Sequence, residues 1–276
     1  MTGTFVVCGT PIGNLGDAPP RLAESLGAAD IVYCEDTRRS RRLLEALGVD
    51  TPLRSFFVGN EDVRSVEIAE RLAAGDTVAL ITDAGMPTVS DPGHSAVVAA
   101  LSVGATVTVV PGPSAVLAAL AVSGLPSQRF VFEGFLPRKS GERRRRLEEL
   151  AAEQRTVVLY AAPSRLGAEL AQMAEVFGPD RQIVIARELT KLHEEVWRGT
   201  VGEAAAVWTE RTVKGEVTLV LEGAAAPDVS LEDAVGEVLE LVDTGVSLSG
   251  AVKVVAEATG TRKRRLYEAA LALRKT

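Results

Sequence analysis

Between Thr82 and Gly93 the chain gathers two carboxylates (Asp83, Asp91), two prolines (Pro87, Pro92) and two glycines (Gly85, Gly93) into one loop. Carboxylates accept hydrogen bonds from hydroxyls, glycines let a ligand approach bare backbone, and prolines hold a loop in one shape. The loop follows an apolar run, Thr77 to Ile81, with the character of a buried strand, and precedes Ser95 to Val103, which reads as a helix. In an open α/β sheet ligands bind at such a place, outside the carboxyl ends of the strands. An ordinary turn also uses Asp, Pro and Gly, but a βα connection needs only roughly 2–6 residues, and this one is longer.

A second loop, Gly9-Thr10-Pro11-Ile12-Gly13-Asn14-Leu15-Gly16-Asp17, follows the first predicted strand. Its glycines do not fall at GxGxxG spacing, no GK[ST] occurs, and Pro11 removes an amide that a phosphate cradle would use. A nucleoside-like cofactor without phosphates suits the loop better than a dinucleotide, and S-adenosylmethionine is one, with the turn at Pro11 expected to contact it. Asp83, with Ala84 and Gly85 beside it, is placed to accept from ribose hydroxyls, and Pro111-Gly112-Pro113-Ser114-Ala115, at another strand end, to line the adenosine. The same segments also read as tight turns without a ligand.

The elements that must position these loops alternate from the start. Thr4 to Cys8, Ile31 to Cys34, Leu53 to Phe57, Thr77 to Ile81 and Ala105 to Val110 read as strands, and runs such as Thr106-Val107-Thr108-Val109-Val110 suit a parallel sheet covered on both faces. Between them, helices are expected from Pro19-Pro20 to Gly27, Arg39 to Leu47 and Val63 to Ala74, and Ala115 to Val122 closes a first domain, residues 1–122. Ser123 to Ser127 reads as a linker into a second α/β domain, residues 123–226. Its strands are Phe130 to Phe132, Thr156 to Tyr160, Ile183 to Ala186 and Val217 to Leu221. A helix begins near Ser140, another runs from Arg165 to Val176 with Ser164 as cap, and a hairpin around Glu194 to Thr200 makes the sheet mixed. The last segment, residues 227–276, reads as three helices, Leu231 to Val242, Ser249 to Ala258 and Thr261 to Leu273, with Ser249 and Thr261 as N-caps.

Composition narrows the function. At 276 residues and 46% hydrophobic content the chain can bury one large core or two medium ones, and with only 4% aromatics that core is Ala, Val and Leu. No apolar run reaches membrane-spanning length and no signal-peptide pattern opens the chain, so a cytoplasmic protein is expected. Cys8 and Cys34 form no CxxC pair and read as buried hydrophobes; with His94 and His193 the only histidines, no zinc spacing exists and no metal is expected. A net charge of −7 argues against indiscriminate nucleic-acid binding, yet two basic runs stand out, Arg143-Arg144-Arg145-Arg146 and Arg262-Lys263-Arg264-Arg265. Each also reads as a solvated helix face.

Six segments occur here in one order: Thr10 to Leu15, Glu35-Asp36-Thr37-Arg38, Asp83 to Gly93, Pro111-Gly112-Pro113, Gly134-Phe135-Leu136-Pro137, and Ala186-Arg187-Glu188-Leu189-Thr190-Lys191. Together they resemble the tetrapyrrole-methylase-like superfamily, and more closely its ribosomal branch, over nearly the whole chain. The resemblance implies two α/β domains with S-adenosylmethionine in the cleft between them, a small helical tail and a homodimer. It also implies methylation of a cytidine 2′-oxygen in the decoding region of 16S rRNA, on free rRNA or the small subunit. The chain departs from the branch in three places: Phe57-Val58-Gly59 stands where a histidine is usual before Asn60-Glu61, Ala161-Ala162-Pro163-Ser164 replaces Glu-Ser-Pro-His after Tyr160, and Met86 replaces a threonine.

That chemistry asks for an acceptor for the hydroxyl proton and for cations facing the phosphates. On the resemblance, Asp36 and Glu188 are candidate acceptors and Lys191 their catalytic partner, while Tyr160 faces the cofactor or fills the core. Arg38, Arg187 and Lys214 are candidate phosphate contacts, joined by Arg143, Arg144, Arg264 and Arg265 of the basic runs. A tetrapyrrole-type small-molecule methyltransferase, a non-catalytic rRNA-binding assembly factor and a dinucleotide enzyme using Glu35 or Asp36 remain as other readings of this fold.

Overall fold

The computed structural model describes residues 2–225 and 229–273, so the Ala226-Pro227 junction expected before the helical tail lies outside the described residues. Residues 1–222 form one compact unit and residues 223–276 another.

The first unit contains two sheets. Strands β1 (Thr4–Cys8), β2 (Ile31–Cys34), β3 (Leu53–Ser55), β4 (Thr77–Leu80) and β5 (Thr106–Val110) form the first, all parallel, in the order β3-β2-β4-β1-β5. Its central strands β1, β2 and β4 are largely buried on both faces, as a parallel sheet requires. Helices α1 (Pro20–Gly27) and α2 (Thr37–Leu47) cover one face, where Leu22, Leu26 and Leu44 meet Val6, Cys8, Val32 and Cys34. On the other, α3 (Glu61–Ala74) and α4 (His94–Ser102) set Ile68, Leu72, Ala96 and Ala100 against Phe5, Ile31 and Tyr33. The edge strand β5 departs from the expected double cover: Thr106, Thr108 and Val109 are exposed. Both cysteines are buried free thiols, and burial pushes Cys8 up to about 12 despite nearby Arg21, so it is inert.

The second sheet runs β6 (Phe130–Phe135), β7 (Thr156–Ala161), β10 (Val217–Leu221), β8 (Gln182–Arg187) and β9 (Glu195–Thr200), in that order. Only β6 and β7 are parallel; β8 and β9 form the expected hairpin, so the sheet is mixed. Helices α6 (Ser140–Leu150), α7 (Leu166–Phe177) and α8 (Val201–Thr209) pack on one face around Leu147, Leu166, Met173 and Trp208.

The other face is covered by a helix that comes from the end of the first sheet's segment. Helix α5 (Ala115–Ser123) follows the first sheet in sequence but packs on the second, setting Val116, Ala119 and Leu120 against Val158, Val184 and Val220. The strand at Phe130 also runs on to Phe135, past a bulge between Phe132 and Gly134, and α7 begins after a short 3₁₀ turn, Pro163–Arg165, without a side-chain cap from Ser164.

In the second unit α9 (Leu231–Asp243), α10 (Leu248–Thr259) and α11 (Lys263–Leu273) enclose a core of Ala234, Val235, Val238, Ala251, Val255 and Leu266. Two caps differ from expectation. Ser247, not Ser249, caps α10 by accepting from the Gly250 amide, and α11 starts at Lys263, with the Thr261 hydroxyl turned to that of Thr259.

Candidate functional site

Strands β2, β4, β1 and β5 are neighbours whose carboxyl ends all open on one side of the first sheet, and their loops meet there. The β1 and β4 loops are tied backbone to backbone: the Thr10 amide donates to Gly85 O at 2.8 Å and the Gly85 amide to Thr10 O at 3.1 Å. Gly85 has φ 85°, the left-handed region that favours glycine. Gly9 and Gly112 let the β1 and β5 loops touch, since a Cβ on Gly112 would stand 2.7 Å from the Gly9 carbonyl carbon.

These loops and the second sheet border an open cavity of about 440 Å³. Asp83, Ala84 and Gly85 from the β4 loop line it, with Ser114 and Ala115 at the start of α5 and Tyr160 at the end of β7, all expected from sequence. Pro11 is buried beside it without lining it; its neighbour Ile12 does. Tyr160 packs against Phe132 and Phe135, with ring centroids 5.0 and 5.4 Å away, and burial, then Asp91 and Glu216, push its phenol up to about 12, so it stays neutral.

The cavity is acidic. Among the described residues, Glu35, Asp83, Asp91 and Glu216 line it against a single guanidinium, that of Arg39, which donates to Asp83 Oδ2 at 3.0 Å. Asp83 Oδ1 accepts from the Asp36 amide at 3.2 Å, and Asp91 accepts from the Thr82 hydroxyl at 2.7 Å. Burial raises Glu35, with Asp83 and Asp91 adding to it; burial also raises Asp91, outweighing the Thr82 hydrogen bond. The β4 loop holds strained backbone at Thr88 and at Ser90, which lines the cavity: φ is 75° and 64°, conformations that ordinary residues hold only where the surroundings enforce them.

The segment after β8 lies at one rim. Lys191 Nζ bridges Glu188 Oε1 at 2.7 Å and Glu216 Oε2 at 3.0 Å, and Glu188 Oε1 also accepts from the Glu216 amide at 2.9 Å. Burial pushes Glu188 upward, but the Lys191 and Glu216 hydrogen bonds outweigh it and leave its carboxyl below the usual range. Lys191, which burial alone would lower, is raised by the same carboxylates. Glu188 does not line the cavity; Glu216 does. Asp36 does not line it either. Its carboxylate caps α2, accepting from the Arg38 amide and guanidinium, and Arg38 holds it at about 2.

A second cavity, of about 300 Å³, is lined by Arg187, Lys214, Arg211, His193 and Trp208. Glu195 takes Arg187 Nε at 3.2 Å and Arg211 Nη1 at 2.9 Å, and the Arg211 guanidinium lies 4.1 Å over the Trp208 ring. Of the basic runs, Arg143 is turned inward: it is 7% exposed, and its Nε donates to Gln172 Oε1 at 2.6 Å. Arg144 is exposed but paired with Glu148 and Glu175. On α11, Arg264 pairs with Glu268, and Arg265 is exposed.

Sequence reasoning missed Arg39, Phe135, Glu216 and Thr218 as cavity residues. Glu216 carried one usable signal, its place just before a buried strand. Arg39 carried none, because its role depends on α2 lying beside the β4 loop.

A family model described as Tetrapyrrole (Corrin/Porphyrin) Methylases matches residues 4–205, and one described as RsmI C-terminal HTH domain matches residues 229–274. The ribosomal RNA small subunit methyltransferase I of Synechocystis sp. is 43% identical over 274 residues, covering 98% of each chain. That of Mycobacterium tuberculosis is 44% identical, covering 99% of this chain and 96% of the other. The crystal structure of uroporphyrin-III-C-methyltransferase from Thermus thermophilus shares the fold, with a TM-score of 0.57 at 21% identity, over 80% of this chain and 94% of that one. The chain therefore belongs to the tetrapyrrole (corrin/porphyrin) methylase family and, within it, to the group of ribosomal RNA small subunit methyltransferase I proteins.

Proposed function

We propose that this protein is an S-adenosylmethionine-dependent rRNA methyltransferase that modifies the 2′-oxygen of a cytidine in the decoding region of 16S rRNA, acting as a homodimer on free rRNA or the small subunit. The observation that carries the reading is the acidic cavity at the carboxyl ends of β1, β2, β4 and β5. Its volume suits a ligand of cofactor size, and four carboxylates against one guanidinium suit a cation and repel a pyrophosphate. The apolar lining from Ile12, Met86, Phe135 and Tyr160 suits an adenosine and a thioether chain. The same carboxylates count against a polycarboxylated tetrapyrrole as substrate, and the similarity to rRNA methyltransferases over nearly the full chain supports RNA.

In this reading Asp83, Ala84, Gly85, Ser114, Ala115 and Tyr160 hold the cofactor, with Asp83 accepting from its ribose hydroxyls while Arg39 and the Asp36 amide fix the carboxylate. When bound, S-adenosylmethionine supplies a methyl group on a positively charged sulfur, activated for transfer to a ribose oxygen with a neutral thioether left behind. Glu216, at the rim, accepts the proton of the 2′-hydroxyl. Lys191 orients Glu216 and offers its charge to the RNA. Glu188 is a positioning residue that anchors Lys191, and Asp36 one that anchors Asp83. Much of the rate then comes from alignment, which is worth up to roughly 7–11 kcal/mol in favourable cases. Arg38, Arg187 and Lys214 meet phosphates, and α11 with Arg264 and Arg265 adds an RNA surface; Arg143 is left out because it is buried.

Labelled S-adenosylmethionine incubated with the protein and isolated small subunits tests this. Label on one cytidine ribose of 16S rRNA is expected. Label on a base, on a small molecule, or nowhere overturns the reading.

A further inference from the structure

We propose that Leu192 is a wedge that enters the base stack beside the target nucleotide, so that the nucleotide swings out and its ribose can reach the cavity. The proposal rests on the rRNA reading above. Leu192 is 93% exposed, more than any other large apolar side chain among the described residues. It stands on a braced turn. Glu188 and Thr190 have φ of 52° and 68°; the Lys191 amide donates to Glu188 O at 3.0 Å, the Glu194 amide to Lys191 O at 3.1 Å, and the Thr190 amide to Glu194 Oε2 at 2.6 Å. A fixed turn that projects one apolar side chain into solvent gains nothing for the fold from that side chain.

What lies on each side of Leu192 indicates its partner. Lys191, just before it, bonds to Glu216 at the rim of the acidic cavity. His193, just after it, lines the cationic cavity with Arg187, Arg211 and Lys214. There Glu195 offsets only part of the charge of the two arginines, Lys214 makes no ion pair among the described residues, and the indole N–H of Trp208 is buried without a partner. Arg187, Arg211 and Lys214 against the single carboxylate of Glu195 leave this cavity with a positive field that suits an anion. The linings of the two cavities adjoin in the chain at Gly215 and Lys214, and Leu192 stands on the turn whose Lys191 bonds to Glu216 and whose His193 lines the cationic cavity. A nucleic acid strand presents phosphate, ribose and stacked base side by side. Enzymes that act on one nucleotide commonly draw it out of its stack, and inserted apolar side chains are a general means of holding a step open.

The experiment uses the full chain and a small-subunit RNA fragment carrying 2-aminopurine next to the modified cytidine. Wild-type protein is expected to raise the 2-aminopurine fluorescence on binding. Leu192→Ala should abolish that rise and slow single-turnover methyl transfer at least 10-fold, with thermal midpoint and S-adenosylmethionine affinity unchanged; Leu192→Phe should restore both. Wild-type fluorescence and rate in Leu192→Ala overturn the wedge. So does a loss of self-association in Leu192→Asp by sedimentation, which would make Leu192 a contact between copies. A wild-type protein that methylates no rRNA overturns the underlying reading together with the wedge, and is told apart because it fails before any variant is compared.

Discussion

The side chain of Lys191 occupies the space where a Cβ on Gly13 would stand. Gly13 belongs to the turn after β1 in the first sheet and Lys191 to the turn after β8 in the second, so the contact couples the cofactor side of the site to the rim that carries Glu216.

Gly13→Ala is therefore expected to push Lys191 out of its bridge between Glu188 and Glu216. Overpacking of this kind costs ~1–3 kcal/mol, and methyl transfer should fall with it. The check is a double-mutant cycle in thermal unfolding. Lys191→Ala opens the space that the added methyl group needs, so the two losses should be markedly less than additive. Additive losses would mean that the two turns are energetically independent.

Glu188 and Glu216 separate by role. Glu188 accepts hydrogen bonds from Lys191 and from the Glu216 amide and lies outside the cavity, so Glu188→Gln should lower the thermal midpoint with only a small loss of single-turnover rate per folded molecule. Glu216 lines the cavity, and Glu216→Gln should slow transfer by roughly 10²–10⁴, the range for loss of a general base, with little change in stability. Rate and midpoint measured on the same preparations decide it; the reverse pattern would make Glu188 the acceptor.

The alternation of elements, both sheets and the loop that lines the cavity were legible in the sequence, because β-branched runs, helix-ending glycines and a long Asp-Pro-Gly loop are local signals. What was not legible was tertiary. Helix α5 reads as the last element of the first domain, yet it packs Val116, Ala119 and Leu120 on the second sheet, and a helix apolar on nearly every face gives no sequence sign of which sheet it covers. Arg143 reads as one of four surface cations, but helical periodicity turns it inward to Gln172 while Arg144 stays out. Asp36 reads as an acid with a free carboxylate, and its position one residue before α2 makes it a cap. Glu216 is assigned to the rim only by the antiparallel pairing of β10 with β8.

The cavity carboxylates predict a pH signature. Burial first, then neighbouring carboxylates, raise Glu35, and burial raises Asp91, so in the folded protein both stay protonated above the pH at which they ionise when unfolded. Their folded pKa values being raised, the ligand-free protein should lose stability as pH climbs from about 4 through those raised values. Affinity for a cation should move the opposite way, rising as they ionise. Calorimetry should then show S-adenosylmethionine binding tighter as pH climbs through those raised values, with a clearly smaller change for S-adenosylhomocysteine, whose sulfur is neutral. Asp91→Asn should flatten the first trend. Equal slopes for the two ligands would remove the carboxylates from the sulfonium's surroundings.

The basic runs make unequal predictions. On α11 and just before it, Arg262 and Arg265 are exposed, and they pair with no carboxylate among the described residues. Phosphate contacts set the salt dependence of binding, with each contact contributing roughly 0.7–0.9 to the slope of log affinity against log salt. Arg262→Glu with Arg265→Glu should therefore weaken binding to small-subunit RNA and reduce that slope by about 1–2, leaving S-adenosylmethionine affinity intact. Arg143→Glu should do something else: it strips the partner from half-buried Gln172 and sets a carboxylate near Glu169, whose carboxyl burial already raises, so the loss should appear in the thermal midpoint. The RNA salt slope of whatever Arg143→Glu protein folds should stay near wild type. A reduced slope there, or an unchanged one in the α11 variant, would reverse the assignment of the two runs.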